Sequence, residues 1–112
     1  MKKIQFEVTE KDIEGYAGLS GDFNPIHLDR EYAAAHGFAE KIAHGMLTMA
    51  KVWGMMANEF ESVLFPAEYE LTFQSPVYVG AQVELTIIEK ENALIISGKS
   101  EGETVVKGKI IL

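Results

Sequence analysis

The spacing of apolar positions changes repeatedly along the chain, and each change predicts a new element. Lys3 to Val8 alternates and is rich in β-formers, which predicts a short strand. The period then lengthens. Ile13, Tyr16, Ala17 and Leu19 recur at helical spacing between Lys11 and Leu19. Thr9 offers an N-cap, and Asp12, three residues on, an imperfect capping box. Ser20-Gly21-Asp22 stops that helix. Phe23 to Pro25 is expected to be non-helical, because a residue before proline is pushed out of the α region. Asp29 caps a further short helix that runs to His36, with Ala33 to Ala35 inside and Gly37 ending it.

The long helix candidate is Ile42 to Phe60. Its Met46, Leu47, Met49, Ala50, Trp53, Met56, Ala57 and Phe60 cover most of the circumference, which predicts burial on several sides. Gly54 inside it costs roughly 1 kcal/mol against alanine, which suggests close packing there. Pro66 lies beyond the helix. The rest reads as β: Glu68 to Gln74, a break at Ser75-Pro76, a resumption at Val77 to Val79, and a turn at Gly80-Ala81. Gln82 to Glu89 and Ala93 to Lys99 flank a hairpin turn at Lys90-Glu91-Asn92. Glu101-Gly102 turns into the last strand, Glu103 to Leu112. Strand, small helices, long helix and a run of strands predict an α+β domain with an antiparallel sheet against one helix. A strongly curved sheet would cover that helix all round.

Composition narrows the functional classes. A chain of 112 residues fits one domain, and 47% hydrophobic residues can build a core, though a domain this small gains from oligomerising. The net charge of −7 argues against nucleic acids and anionic membranes as partners. Without cysteine there is no thiolate chemistry, disulfide or Cys-ligated metal. The N-terminus lacks the apolar core of a signal peptide, and no apolar run approaches a membrane span, so a cytoplasmic protein is expected.

Chemistry concentrates between Asp22 and Gly45. Asp22 and His27 stand five residues apart across Pro25, close enough for a turn to bring carboxylate and imidazole around one water. General acid–base catalysis of that kind contributes about 10²–10⁴-fold. Asn24 and Pro25 would hold the turn. The plainer reading makes Asp22 a turn cap and His27 a surface residue, and on spacing alone it is the favoured one. His44-Gly45-Met46 stands where the long helix begins. First-turn N–H groups lack intrahelical partners and carry the positive dipole end, so they can receive a carbonyl oxygen. Gly45 serving only close packing is an equal alternative.

Taken together, the run Tyr16 to His27, with Ala33 six residues later, resembles the hydratase-2 motif of the MaoC-like (R)-specific enoyl-CoA hydratases. Ile42-Ala43-His44-Gly45-Met46-Leu47 resembles that family's entry into its central helix, and Ser75 to Gly80 its Pro-Val-Tyr turn. The resemblance runs across nearly the whole chain. It implies the hot-dog fold, an antiparallel sheet wrapped around one long helix, as a single domain over residues 1–112 that forms a homodimer or higher homo-oligomer. It implies reversible addition of water to a trans-2-enoyl-CoA, giving the (R)-3-hydroxyacyl-CoA. Asp22 and His27 match the catalytic pair, and Gly45 the glycine whose backbone N–H polarises the thioester carbonyl. Asn24, His44, Met46 and Trp53 complete the candidate substrate site, with His44 expected to steady its loop and His36 to be exposed. Coenzyme A is part of the substrate; no metal or other cofactor is expected.

The chain departs from the family pattern in places. Trp53 stands where many members carry a small hydroxyl residue. Its indole can orient Asp22, shorten the acyl tunnel, or simply be core. Ser75 and Ala81 replace the usual Lys and Asp of the turn, and the stretch from Asn58 to Tyr69 is compact. Lys41, Lys51 and Lys107 are candidates for the coenzyme's phosphates, though solvated surface lysines are the stronger reading. A 3-hydroxyacyl-acyl-carrier-protein dehydratase, a hot-dog acyl-CoA thioesterase and a non-catalytic acyl-CoA binder are the alternatives.

Overall fold

A computed structural model describes residues 1–60 and 66–112. After strand β1 (Lys2–Glu7), helix α1 (Glu10–Ser20) opens on a complete capping box. The Asp12 N–H donates to the Thr9 hydroxyl at 3.1 Å, and the Thr9 N–H donates to the Asp12 carboxylate at 2.9 Å. Gly21 ends the helix at φ 79°, a left-handed conformation that glycine adopts without a Cβ penalty. The next turn corrects the sequence reading. Pro25 is not outside a helix but opens the single-turn α2 (Pro25–Leu28). Its missing N–H costs nothing at a first helical position, and the proline restriction falls on Asn24, whose side chain caps the turn by accepting from the Ile26 N–H at 3.1 Å. Asp29 caps α3 (Arg30–Ala35), as expected.

The long helix α4 (Gly45–Glu59) starts three residues later than its apolar pattern suggested. Ile42 pairs instead with Tyr78 in an isolated β-bridge. The Ala43 N–H donates to the Val77 carbonyl at 2.7 Å, and the Val79 N–H to the Lys41 carbonyl at 3.0 Å. Val77 to Val79 is therefore not a strand of the main sheet. It is a stitch that fixes the approach to His44 and Gly45.

The remaining strands are β2 (Glu68–Phe73), β3 (Gln82–Lys90), β4 (Ala93–Ser100) and β5 (Glu103–Ile111). They join β1 in one antiparallel sheet of order β1-β3-β4-β5-β2. β5 and β2 approach so closely at Gly108 that an added Cβ would lie 2.0 Å from the Glu70 carbonyl oxygen. Strand alternation puts Val83, Leu85, Ile87, Leu94, Ile96, Val106 and Ile110 into one core with Leu47, Val52 and Met56 of α4. Burying each such side chain contributes about 2 kcal/mol. One sheet with one long helix on its face is the α+β, hot-dog arrangement.

The expected all-round burial of that helix does not hold within one chain. Thr48, Val52 and Met56 face the sheet, whereas Met46, Ala50, Gly54 and Asn58, half a turn away, are exposed. Met46 is 64% exposed, and a Cβ on Gly54 would meet nothing within 4 Å. The close packing expected at Gly54 is thus absent from the single chain. Of the stretch from Asn58 to Tyr69, residues 61–65 lie outside the described residues.

Candidate active site

Three short-range devices shape the loop that carries Asp22. The Ser20 hydroxyl accepts from the Asp22 N–H at 3.1 Å, and Asp22 Oδ1 accepts from the Asn24 N–H at 3.2 Å. Pro25 then turns the chain into α2, which presents His27. The His27 Nδ1–H donates to the Ile42 carbonyl at 2.8 Å. A carbonyl only accepts, so this bond assigns the proton to Nδ1 and leaves the Nε2 lone pair facing outward. Nε2 lies 4.0 Å from Asp22 Oδ2, with the His27 side chain 11% and the Asp22 side chain 50% exposed. That separation is too long for a direct hydrogen bond, but two hydrogen bonds to one shared oxygen atom can span it.

His44 lies beneath this pair, 3% exposed. Its Nε2–H donates to the Asp22 main-chain carbonyl at 3.1 Å. Its ring stacks on His27, with centroids 3.8 Å apart at 27°, and takes the edge of Tyr16 at 4.8 Å. Its own carbonyl, at the N-cap of α4, accepts from both the N–H and the hydroxyl of Thr48. Gly45 follows as the first residue of α4, so its N–H has no intrahelical partner. Asp22, His27 and His44 offer donor atoms within 4.8 Å of one another. Stacked imidazoles, however, aim their in-plane lone pairs side by side rather than at one point, which is poor geometry for a shared cation.

The sequence-predicted residues thus separate into two groups. Asp22, Asn24, His27, His44 and Gly45 gather at the start of α4. Met46 and Trp53 lie on its open flank, where with Met49, Ala50 and Tyr69 they line an apolar hollow of about 310 Å³. Trp53 packs on Tyr69 at 5.4 Å and makes no hydrogen bond to Asp22, so its indole does not orient that carboxylate. The Tyr69 hydroxyl donates to the Met49 carbonyl at 2.7 Å, and burial pushes its pKa up. A second cavity, of about 300 Å³, adjoins Gly45 and is lined in part by Ile42, Thr48, Phe73 and Val77. Asp22 and His27 lie outside its lining. Sequence reasoning missed Thr48 and Phe73. Thr48 carried a signal, four residues after the cap; Phe73, on a distant strand, carried none.

The other candidates resolve plainly. His36 is exposed and bonds within α3's last turn. Lys41 is ion-paired with Glu10, and Lys51 with Asp12 at 2.7 Å, so neither offers an unpaired charge to a phosphate. Lys107 is exposed and makes no ion pair among the described residues. No helix among them is long and apolar enough to cross a membrane.

Residues 2–110 match the model of the MaoC like domain family. The chain is 33% identical over 89 residues to an (R)-specific enoyl-CoA hydratase of Aeromonas caviae, covering 74% of this chain and 66% of that one. It is 31% identical over 111 residues to a 3-hydroxybutyryl-CoA dehydratase of Methylorubrum extorquens, covering 92% and 70%. It is 35% identical over 75 residues to a mitochondrial 3-hydroxyacyl-[acyl-carrier-protein] dehydratase of Arabidopsis thaliana, covering 67% of this chain but 45% of the plant protein. Among solved structures, the R-hydratase PhaJ1 of Pseudomonas aeruginosa superposes with a TM-score of 0.76 at 31% identity, covering 97% and 76%. These relatives are named as hydratases and dehydratases, which are lyases.

Proposed function

We propose, since the chain belongs to the MaoC-like family, that it hydrates trans-2-enoyl-CoA thioesters reversibly to (R)-3-hydroxyacyl-CoA. The observation that carries this reading is the pairing of Asp22 Oδ2 with His27 Nε2 across 4.0 Å, beside the unpartnered first turn of α4. A water held between the two side chains loses a proton to the pair. Its oxygen bonds to C3 of the enoyl group, and the electron pair moves through C2 towards the thioester oxygen. The Gly45 N–H stabilises the charge on that oxygen, an arrangement worth about 10²–10³ in rate for one donor. The pair then delivers a proton to C2, so one O–H bond and the C2=C3 π bond break while C3–O and C2–H bonds form. His27 starts with its Nε2 lone pair available because Nδ1–H is committed to Ile42. Purified protein should consume the enoyl-thioester absorbance of crotonyl-CoA. Equal rates from wild type and Asp22→Asn would remove Asp22 from this role.

The carrier is open to a second reading, favoured by the Arabidopsis relative: an acyl-carrier-protein thioester in place of CoA. The chemistry is unchanged. The net charge of −7 disfavours docking an acidic carrier, so we expect crotonyl-CoA to be turned over faster than the crotonyl carrier protein. Free CoA released from a saturated acyl-CoA would instead identify a thioesterase, and binding without turnover a non-catalytic acyl-CoA binder.

A homodimer belongs to the same proposal. β2 is a sheet edge, and the Met46, Met49, Ala50 and Trp53 flank of α4 is open beside it. A second copy joined at β2 would pair that edge and cover the flank. Sedimentation should give twice the chain mass, and Ala50→Arg should shift it to the monomer.

A further inference from the structure

We propose that His44 is the positioning residue of the catalytic pair, an inference that rests on the hydratase reading above. His44 touches all three parts of the site. Its Nε2–H holds the main chain of Asp22 at 3.1 Å, and its ring supports His27 at a centroid distance of 3.8 Å. Its carbonyl receives Thr48 and so begins the helix whose first N–H belongs to Gly45. The other hydrogen bonds around Asp22 are local: to Ser20 and Asn24 within two residues, and from the Gly21 N–H and the Ser20 hydroxyl back to the last turn of α1, while the Asp22 side chain is half exposed. Among the described residues, His44 makes the one hydrogen bond that reaches Asp22 from a distant part of the chain.

A second observation separates this role from ordinary packing. With its proton committed at Nε2, His44 keeps a buried acceptor at Nδ1 that meets no protein donor among the described residues. A buried acceptor without a donor costs stability, and an apolar ring of similar size would remove that cost. Phenylalanine would keep the stack on His27 and the contact with Tyr16. A residue chosen for packing alone would be apolar. What histidine adds is the donor to Asp22, which a phenyl ring lacks.

The test compares His44→Phe, which keeps the ring and loses the donor, with His44→Asn, which offers a donor and loses the ring. A misplacement of about 1 Å in a catalytic group costs up to about 10²-fold in rate. We expect His44→Phe to melt no lower than wild type, to keep KM within about twofold, and to lose about 10- to 100-fold in kcat. His44→Asn should recover part of that loss. In crystals of His44→Phe, Asp22 Oδ2 should move away from the 4.0 Å separation from His27 Nε2. Unchanged kcat in His44→Phe, or an unchanged separation, overturns the proposal. If wild type does not hydrate crotonyl-CoA, the hydratase reading fails by itself. The separation in the variant crystal then decides the positioning claim alone.

Discussion

Thr9–Asp12 and Asp22–His27 are both short polar motifs in the first quarter of the chain, and the fold treats them oppositely. In the first, the polar groups close on one another: the Asp12 N–H donates to the Thr9 hydroxyl, the Thr9 N–H donates to the Asp12 carboxylate, and Lys51 pairs with that carboxylate at 2.7 Å. In the second, the backbone-facing atoms are satisfied while Asp22 Oδ2 and His27 Nε2 face each other across 4.0 Å without bonding. Closure is what a stabilising motif needs, because each bond offsets the desolvation of its partners. An acid and a base 4.0 Å apart, without a direct hydrogen bond, stabilise each other little. The separation suits one oxygen atom bonded to both.

The contrast can be broken by mutation. The largest effect is expected from Asp22→Asn, which keeps Oδ1 for the Asn24 N–H and removes the charge at the gap. Hydration should fall by about 10²–10⁴-fold with no loss in melting temperature, measured on one preparation by crotonyl-CoA turnover and calorimetry. Thr9→Ala should do the reverse. Loss of the cap costs about 1 kcal/mol in denaturant unfolding, with kcat unchanged.

The smallest effect is a pH dependence. Burial alone would raise the Asp12 pKa, but hydrogen bonds from Lys51 and from the Thr9 N–H and hydroxyl, with the Lys51 charge, hold it below its ordinary value. A depressed carboxyl contributes stability above its unfolded-state pKa, about 3.9, and loses it as pH falls through the folded value. Wild type should therefore lose more stability than Asp12→Asn between neutral and strongly acidic pH, as followed by circular dichroism. Equal acid sensitivity would show that the closed motif gives no linkage.

Much of the fold was legible in the sequence. The Thr9 and Asp29 caps, the hairpin read at Lys90-Glu91-Asn92 (its turn is Glu91-Asn92, with Lys90 in β3) and the four strands after Pro66 rest on chemistry within a few residues. So did the candidate pair, because Asp22 and His27 are joined by one turn. The start of α4 was misplaced because Ile42 and Ala43 continue its apolar pattern, yet their backbones pair with Tyr78 and Val77, more than thirty residues away. The cover of the helix was misjudged for a related reason. An apolar circumference says that a face will be buried, not that the same chain will bury it.

Residue order by itself determined most of the elements, the α+β class and the motif that brings acid and base into one turn, since these depend on periodicity, caps and local sterics. The tertiary structure alone decided which atoms remain open. It placed His44 under both Asp22 and His27, sent Trp53 to the flank instead of the carboxylate, and left one side of α4 exposed. Those outcomes depend on contacts between segments far apart in the chain, which no local pattern encodes.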